Sequence, residues 1–219
     1  MFADRHEAAI RLAAELDKYR DLNALVLGIP RGAVPMARVI AGKLAGELDV
    51  ALVRKLGAPG NPEFAIGAVD ATGWSHVAAH ACGAGADAAY LEQERRAQVE
   101  ALKARRATYD AIRPAADAQG RIVIVVDDGL ATGATMIAAL HALRRHNPAK
   151  LTCAVPVAPP ETIEEVSRYC DDMVCLEAPD NFQSVGQFYR RFEQVSDAEV
   201  VAALKSTHPP PLPLAWRGN

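Results

Sequence analysis

The chain has 219 residues, enough for one sizeable core with a small subdomain attached. Its 24 basic and 27 acidic side chains are intermixed and leave a net charge of −3, which argues against binding nucleic acid or a membrane surface through bulk charge. Half the residues are hydrophobic, so disorder as a whole is excluded. No apolar run reaches membrane-spanning length, and the first residues lack the positive-then-apolar pattern of a secretory signal. The four cysteines, Cys82, Cys153, Cys170 and Cys175, have no C-x-x-C spacing and read as reduced thiols of a cytoplasmic protein.

Residues Asp4 to Tyr19 read as a helix capped by Asp4, with Leu12, Leu16 and Tyr19 on one face. It is scaffold, with no chemistry assigned to it. Ala24 to Ile29 is a short apolar run, read as a buried strand. It leads into GIPRGAVPMA, Gly28 to Ala37, and a helix reaching Gly46. Strand, glycine-bearing loop and helix is the layout of an anion site; Arg31 adds a cation and Gly32 opens the backbone. Asp49 to Arg54 reads as a third strand. Arg54 and Lys55 then stand at its C-terminal end, where they either contact an anion or are solvated bases.

The turn-rich GAPGNP, Gly57 to Pro62, precedes two short runs, Phe64 to Val69 and Trp74 to Ala79, that pair as a hairpin across Asp70 to Gly73. His76 and His80 would share a strand face about 13 Å apart at ~3.3 Å per residue, with no acid or cysteine cluster beside them, so a metal site is not read here. Ala86 to Ile112 is a long alanine-rich helix whose charge run, Glu92 to Arg96, is a solvated face. Pro114 and Gly120 end that segment.

The stretch that organises the chain is IVIVVDDGLATGAT, Ile122 to Thr135, followed by a helix from Met136 to Arg145. Five β-branched residues form a buried strand, and Asp127 and Asp128 stand at its end. Gly133 lets the backbone approach an anion, Thr132 can cap the helix, and the first free N–H groups point at a phosphate. The two acids repel that phosphate. They suit neutral hydroxyls or a hydrated Mg²⁺. Phosphate at one end and a diol at the other describe a ribose 5-phosphate.

Further on, Leu151 to Val157 is a strand, Pro159-Pro160 breaks it, and Glu161 to Cys170 is a helix with acids early, as its dipole favours. Met173 to Leu176 is the last strand, followed by PDNFQSVGQFY, Pro179 to Tyr189. Gln187 to Phe192 and Ser196 to Lys205 read as closing helices, and a proline-rich tail, extended or disordered, begins at Pro209.

An apolar strand, two acids and a loop ending T-G-x-T resemble the 5-phosphoribosyl 1-pyrophosphate (PRPP) loop of type I phosphoribosyltransferases. The Gly28–Ala37 segment is similar to the pyrophosphate loop of that family, closest to its xanthine/guanine type, where an S-R-G-G run occupies this place. The resemblance implies an α/β fold: an open, mainly parallel sheet flanked by helices around a Rossmann-like core. It implies a single domain over residues 1–208, with a mobile loop or hairpin at about 57–89 and a small hood at about 173–195, before the tail at 209–219. It implies PRPP binding by Asp127, Asp128, Gly129, Ala131, Thr132, Gly133, Ala134 and Thr135. Pyrophosphate would be held by Pro30, Arg31, Gly32, Arg54 and Lys55, with a cis peptide between Pro30 and Arg31. Asp127, Asp128 and Arg31 would carry catalysis, and Phe182 would stack on a base, although one residue too many separates it from Val185-Gly186.

The implied reaction is transfer of phosphoribose from PRPP to a nitrogenous base, a purine first among them, with no direct metal site: Mg²⁺ arrives bound to PRPP, and Asp127 or Asp128 is the side chain open to it. The implied assembly is a homodimer. One position departs from the family pattern: hypoxanthine/guanine members hold an aspartate where this chain has Ala131. Orotate and adenine members also have a small residue there, so the acceptor stays open. The alternative is a PRPP-binding regulator without turnover; no basic helix-turn-helix accompanies it here. PRPP synthesis would need an ATP site, and no P-loop is present. For one sugar to reach both loops, the strands ending at Gly28 and Asp127 have to be neighbours.

Overall fold

The computed structural model describes residues 1–205; the tail expected from Pro209 lies outside them. Five parallel strands form the main sheet: β1 (Leu25–Gly28), β2 (Glu47–Val50), β6 (Ile122–Val126), β7 (Lys150–Val157) and β8 (Asp172–Glu177), in the order β2-β1-β6-β7-β8. A second, antiparallel sheet contains β3 (Val53–Ala58), β4 (Asn61–Asp70) and β5 (Ser75–Val77). The helices are α1 (Arg5–Glu15), α2 (Val34–Leu44), α3 (Ala88–Asp110), α4 (Ala134–Arg144), α5 (Pro160–Ser167) and α6 (Asp197–Lys205).

Both faces of the central strands β1, β6 and β7 are covered, so these are apolar nearly throughout rather than alternating, whereas the edge strand β8 is half-buried along its length. Val26, Ile124 and Val126 pack with α1, α2 and α6. Leu25, Leu27, Val123 and Val125 point the other way, onto α4 and Val166 of α5. The two-residue side-chain period of a strand sorts neighbouring residues between the two cores. Leu56, Ile66 and Val69 of the small sheet bury against Leu102 of α3.

The third strand expected over Asp49 to Arg54 is two strands. β2 pairs with β1 only as far as Val50, and β3 begins at Val53 opposite Asp70. Arg54 and Lys55 therefore stand on the small sheet, opposite Val69 and Ala68, and not at the end of a parallel strand. The apolar run DVALV hides this break because both strands are buried. The expected helix over Gln187 to Phe192 is a single 3-10 turn, Val185–Phe188, capped by Ser184 and Gln187. Beyond it the chain is extended and bridges to the N-terminal segment at Phe2, where the rings of Phe2 and Tyr189 meet at 5.5 Å. The hairpin across Asp70 to Gly73 is present, with Trp74 stacked on His141 of α4 at 3.6 Å.

The edge strand β8 is fastened by charge. Asp172 accepts from Lys18 at 2.7 Å and from the Tyr19 hydroxyl at 2.6 Å. These donors hold its carboxyl below the ordinary carboxylate range. A depressed folded-state pKa stabilises fully above the unfolded value of about 4, and that gain is lost as pH falls through the folded value. Asp172→Asn is expected to cost about 1–2 kcal/mol at neutral pH. Urea unfolding at pH 7 and near pH 3.5 should show the gap to the unsubstituted protein closing in acid; a gap independent of pH would refute the assignment.

Candidate functional site

β1 and β6 lie side by side and parallel, with Gly28 opposite Val126. The chain leaves β1 through α2 toward β2 and leaves β6 through α4 toward β7, so the connections diverge between these two strands. A crevice opens at the C-terminal ends of strands at such a point. Both loops singled out in the sequence end there.

The first loop, residues 29–33, is tied to the second at its root: the Ile29 N–H donates to the Val126 carbonyl at 3.0 Å. The Pro30–Arg31 peptide is cis, as the resemblance implied. A Cβ on Gly32 would lie 2.2 Å from Asp128 Oδ2, so the backbone here rests directly on the acid pair, and only glycine permits it. Arg31 is 42% exposed, with Nη1 3.7 Å from Asp197 Oδ2 at the start of α6.

The second loop descends from Asp127 to Gly133. The N-cap of α4 is Gly133, with φ of 71° and no side-chain cap, and not Thr132. Thr132 stays exposed at the loop tip beside Ala131. The left-handed turn at Gly133 sets the entry angle of α4; a Cβ there would meet Val166 at 2.7 Å. The Ile137 N–H is the first to find a helical acceptor, the Gly133 carbonyl, at 2.9 Å. The N–H groups of Ala134, Thr135 and Met136 thus have no acceptor within the helix, and the dipole adds positive potential. Thr162 of α5 anchors the loop by donating to the Ala131 carbonyl at 2.7 Å.

The acid pair is desolvated. Burial, and then the charge of Asp128, push the Asp127 carboxyl well above its ordinary range. Burial raises Asp128 as well, against the pull of Arg5. Asp127 accepts the Asp128 N–H through Oδ1 at 2.9 Å. Asp128 accepts Arg5 Nε through Oδ2 at 2.8 Å, and the ion pair is completed by Arg5 Nη2, 2.7 Å from the same oxygen. Among the described residues, no other residue donates a hydrogen bond to Asp127 Oδ2 or Asp128 Oδ1. Each carboxylate therefore has one oxygen fixed and one available, a pair of acceptors suited to a vicinal diol or a hydrated cation.

Arg5 is the residue that sequence reading missed, since α1 was read as scaffold. One signal was present: an arginine in a first helical turn opposes the helix dipole, so another partner has to hold it. Tyr189 was missed too; its hydroxyl donates to the Asp128 carbonyl at 2.6 Å.

Phe182 is half-buried and stacks on Phe188 with ring centroids 5.5 Å apart. Val185, three residues on, is the part of this segment that lies on the acid loop, since its methyl is 2.6 Å from where a Gly129 Cβ would be. His80 lies beyond the end of β5 and its Nε2 is 3.1 Å from the Ala65 carbonyl, while His76 lies 3.6 Å from Glu165. Among the described residues, no group of three or more His, Cys, Asp or Glu side chains is arranged to hold a metal ion, and no helix is long and apolar enough to cross a membrane.

Residues 3–193 match the family model of the phosphoribosyl transferase domain. "Putative phosphoribosyl transferase Rv0571c" of Mycobacterium tuberculosis is 41% identical over 209 residues, which are 95% of this chain and 47% of that protein. The chain thus spans about half the length of the curated relatives it matches. The crystal structure of TT1426 from Thermus thermophilus is 43% identical, with a TM-score of 0.76 over 93% of this chain and 97% of that one.

Proposed function

This chain belongs to the phosphoribosyl transferase domain family, and on that premise we propose that it transfers the 5-phosphoribosyl group of PRPP to a nitrogenous base and releases pyrophosphate. The observation that carries the reading is the contact between the two loops: Gly32 rests on Asp128, so one sugar can span both. In this reading the N–H groups of Ala134, Thr135 and Met136 take the 5-phosphate. Asp127 Oδ2 and Asp128 Oδ1 accept the ring hydroxyls. The backbone of Pro30 to Gly32 and the Arg31 guanidinium take the pyrophosphate.

The acceptor nitrogen attacks the anomeric carbon, the bond to the pyrophosphate oxygen breaks with its electron pair, and the acceptor's proton passes to the departing pyrophosphate or to solvent. Positive charge develops on the ring as that bond stretches, and two fixed carboxylates below it favour the change. Their free oxygens also fit a hydrated Mg²⁺ shared with PRPP, which would supply charge neutralisation of the leaving group. Arg31 would exchange Asp197 for the pyrophosphate. A purine is the first acceptor to try, because the Gly28–Ala37 loop is closest to the xanthine/guanine type. Ala131 supplies no carboxylate to take the acceptor's proton, so an acceptor that is itself acidic suits the site best.

The test is pyrophosphate release from PRPP and Mg²⁺ across purines, pyrimidines and nicotinate-like acceptors. Release with one acceptor class is the expected result. Tight PRPP binding with no release from any acceptor would replace this reading by that of a PRPP-binding regulator.

A further inference from the structure

We propose that Arg5 is a positioning residue of this site, locking Asp128 in the one orientation that offers Oδ1 to a ring hydroxyl of the sugar. The inference rests on the ribose-binding reading of the acid pair. Arg5 is held on every side. Nε donates to Asp128 Oδ2, Nη2 lies 2.7 Å from the same oxygen as its ionic partner, and Nη1 donates to the Glu193 carbonyl at 2.6 Å. The guanidinium plane lies over the Phe192 ring, 3.8 Å from its centroid. Side-chain exposure is 15% for Arg5 and 17% for Asp128, so water competes weakly. The Gly32 backbone closes the remaining side of Oδ2: a Cβ there would also lie 3.3 Å from Arg5 Nε.

The frame behind Arg5 is built from both ends of the described chain. The Phe2 N–H donates to the Phe188 carbonyl at 2.7 Å, the Arg190 N–H to the Phe2 carbonyl at 2.9 Å, and the Arg191 N–H to the Ala3 carbonyl at 3.1 Å. The same segment sends the Tyr189 hydroxyl to the Asp128 carbonyl. Asp128 is therefore gripped at its side chain from α1 and at its backbone from the hood. A carboxylate free to turn would offer either oxygen and lose that freedom on binding; this one is ordered beforehand. The rigid planar fork of arginine does this, and a single ammonium on a flexible stem does not.

A merely structural ion pair would lower stability without altering which sugar is preferred. The experiment reads that preference by calorimetric binding of ribose 5-phosphate and 2-deoxyribose 5-phosphate, neither of which requires turnover. The unsubstituted protein is expected to favour the ribose compound by about tenfold or more. Arg5→Gln should reduce the ratio to about twofold or less, chiefly by weakening ribose 5-phosphate. Arg5→Lys, which keeps the charge and the fold, should also lose most of the ratio. Arg191→Gln, which breaks the neighbouring 2.6 Å pair with Asp4 without touching Asp128, should leave it unchanged. A full ratio in Arg5→Gln or Arg5→Lys, or equal weakening of both ligands, would overturn the role of Arg5 and leave the ribose site standing. No preference in the unsubstituted protein would overturn both.

Discussion

Converting Asp127 and Asp128 together to asparagine is expected to lower pyrophosphate release by about a thousandfold or more while the protein stays folded. In the proposed reading each free carboxylate oxygen would accept a hydroxyl and face the positive charge that develops on the ring; an amide is neutral and offers half the acceptor capacity. The expectation that folding survives follows from the same carboxyls. Both have pKa values raised by burial, so at neutral pH their charged forms cost the folded state stability. Removing the charges relieves that cost. Against it, Arg5 loses its ionic partner and keeps only the Glu193 carbonyl and the Phe192 ring. The two effects oppose each other, so the unfolding midpoint in urea should move little. A double variant with full activity would remove the acid pair from the mechanism.

Gly32→Ala is expected to cost about a hundredfold or more in activity, with about 1–3 kcal/mol of stability. The new methyl would lie 2.2 Å from Asp128 Oδ2 and 3.1 Å from its Cγ. The loop cannot retreat, because Ile29 is bonded to Val126 and the Ala33 N–H to the Ile29 carbonyl at 3.3 Å. Asp128 would have to turn away from Arg5, carrying Oδ1 off the ring hydroxyl. Gly83→Ala is the comparison: a Cβ there meets only the His80 carbonyl, at 3.5 Å, and should change neither quantity. Pyrophosphate release and urea unfolding measure both. Unimpaired activity in Gly32→Ala would mean that the first loop does not bear on the acid pair in the proposed reaction.

The parallel core and the acid-pair loop were legible because each depends on local pattern. A β-branched run, two acids and T-G-x-T specify strand, turn and helix within Ile122 to Thr135, and the strand after Ala24 is as plain. What was not legible lies between segments distant in sequence. Arg5 and Asp128 are 123 residues apart, and no local spacing joins them. The break between β2 and β3 was hidden by continuous burial, which periodicity cannot divide. The cap at α4 went to Gly133 because a left-handed residue, not a hydroxyl, turns the chain into the helix. The aromatic run ending at Phe192 looked helical, yet it pairs with the N-terminal segment instead.

The most direct test of a single sugar bridging the two loops is a crystal structure of the protein soaked with PRPP and Mg²⁺. The predicted result is the 5-phosphate on the N–H groups of Ala134 to Met136, the ring hydroxyls on Asp127 and Asp128, and the pyrophosphate against Pro30 to Gly32. A pentose lying away from the acid pair, or both phosphate ends gathered on one of the two loops, would contradict it.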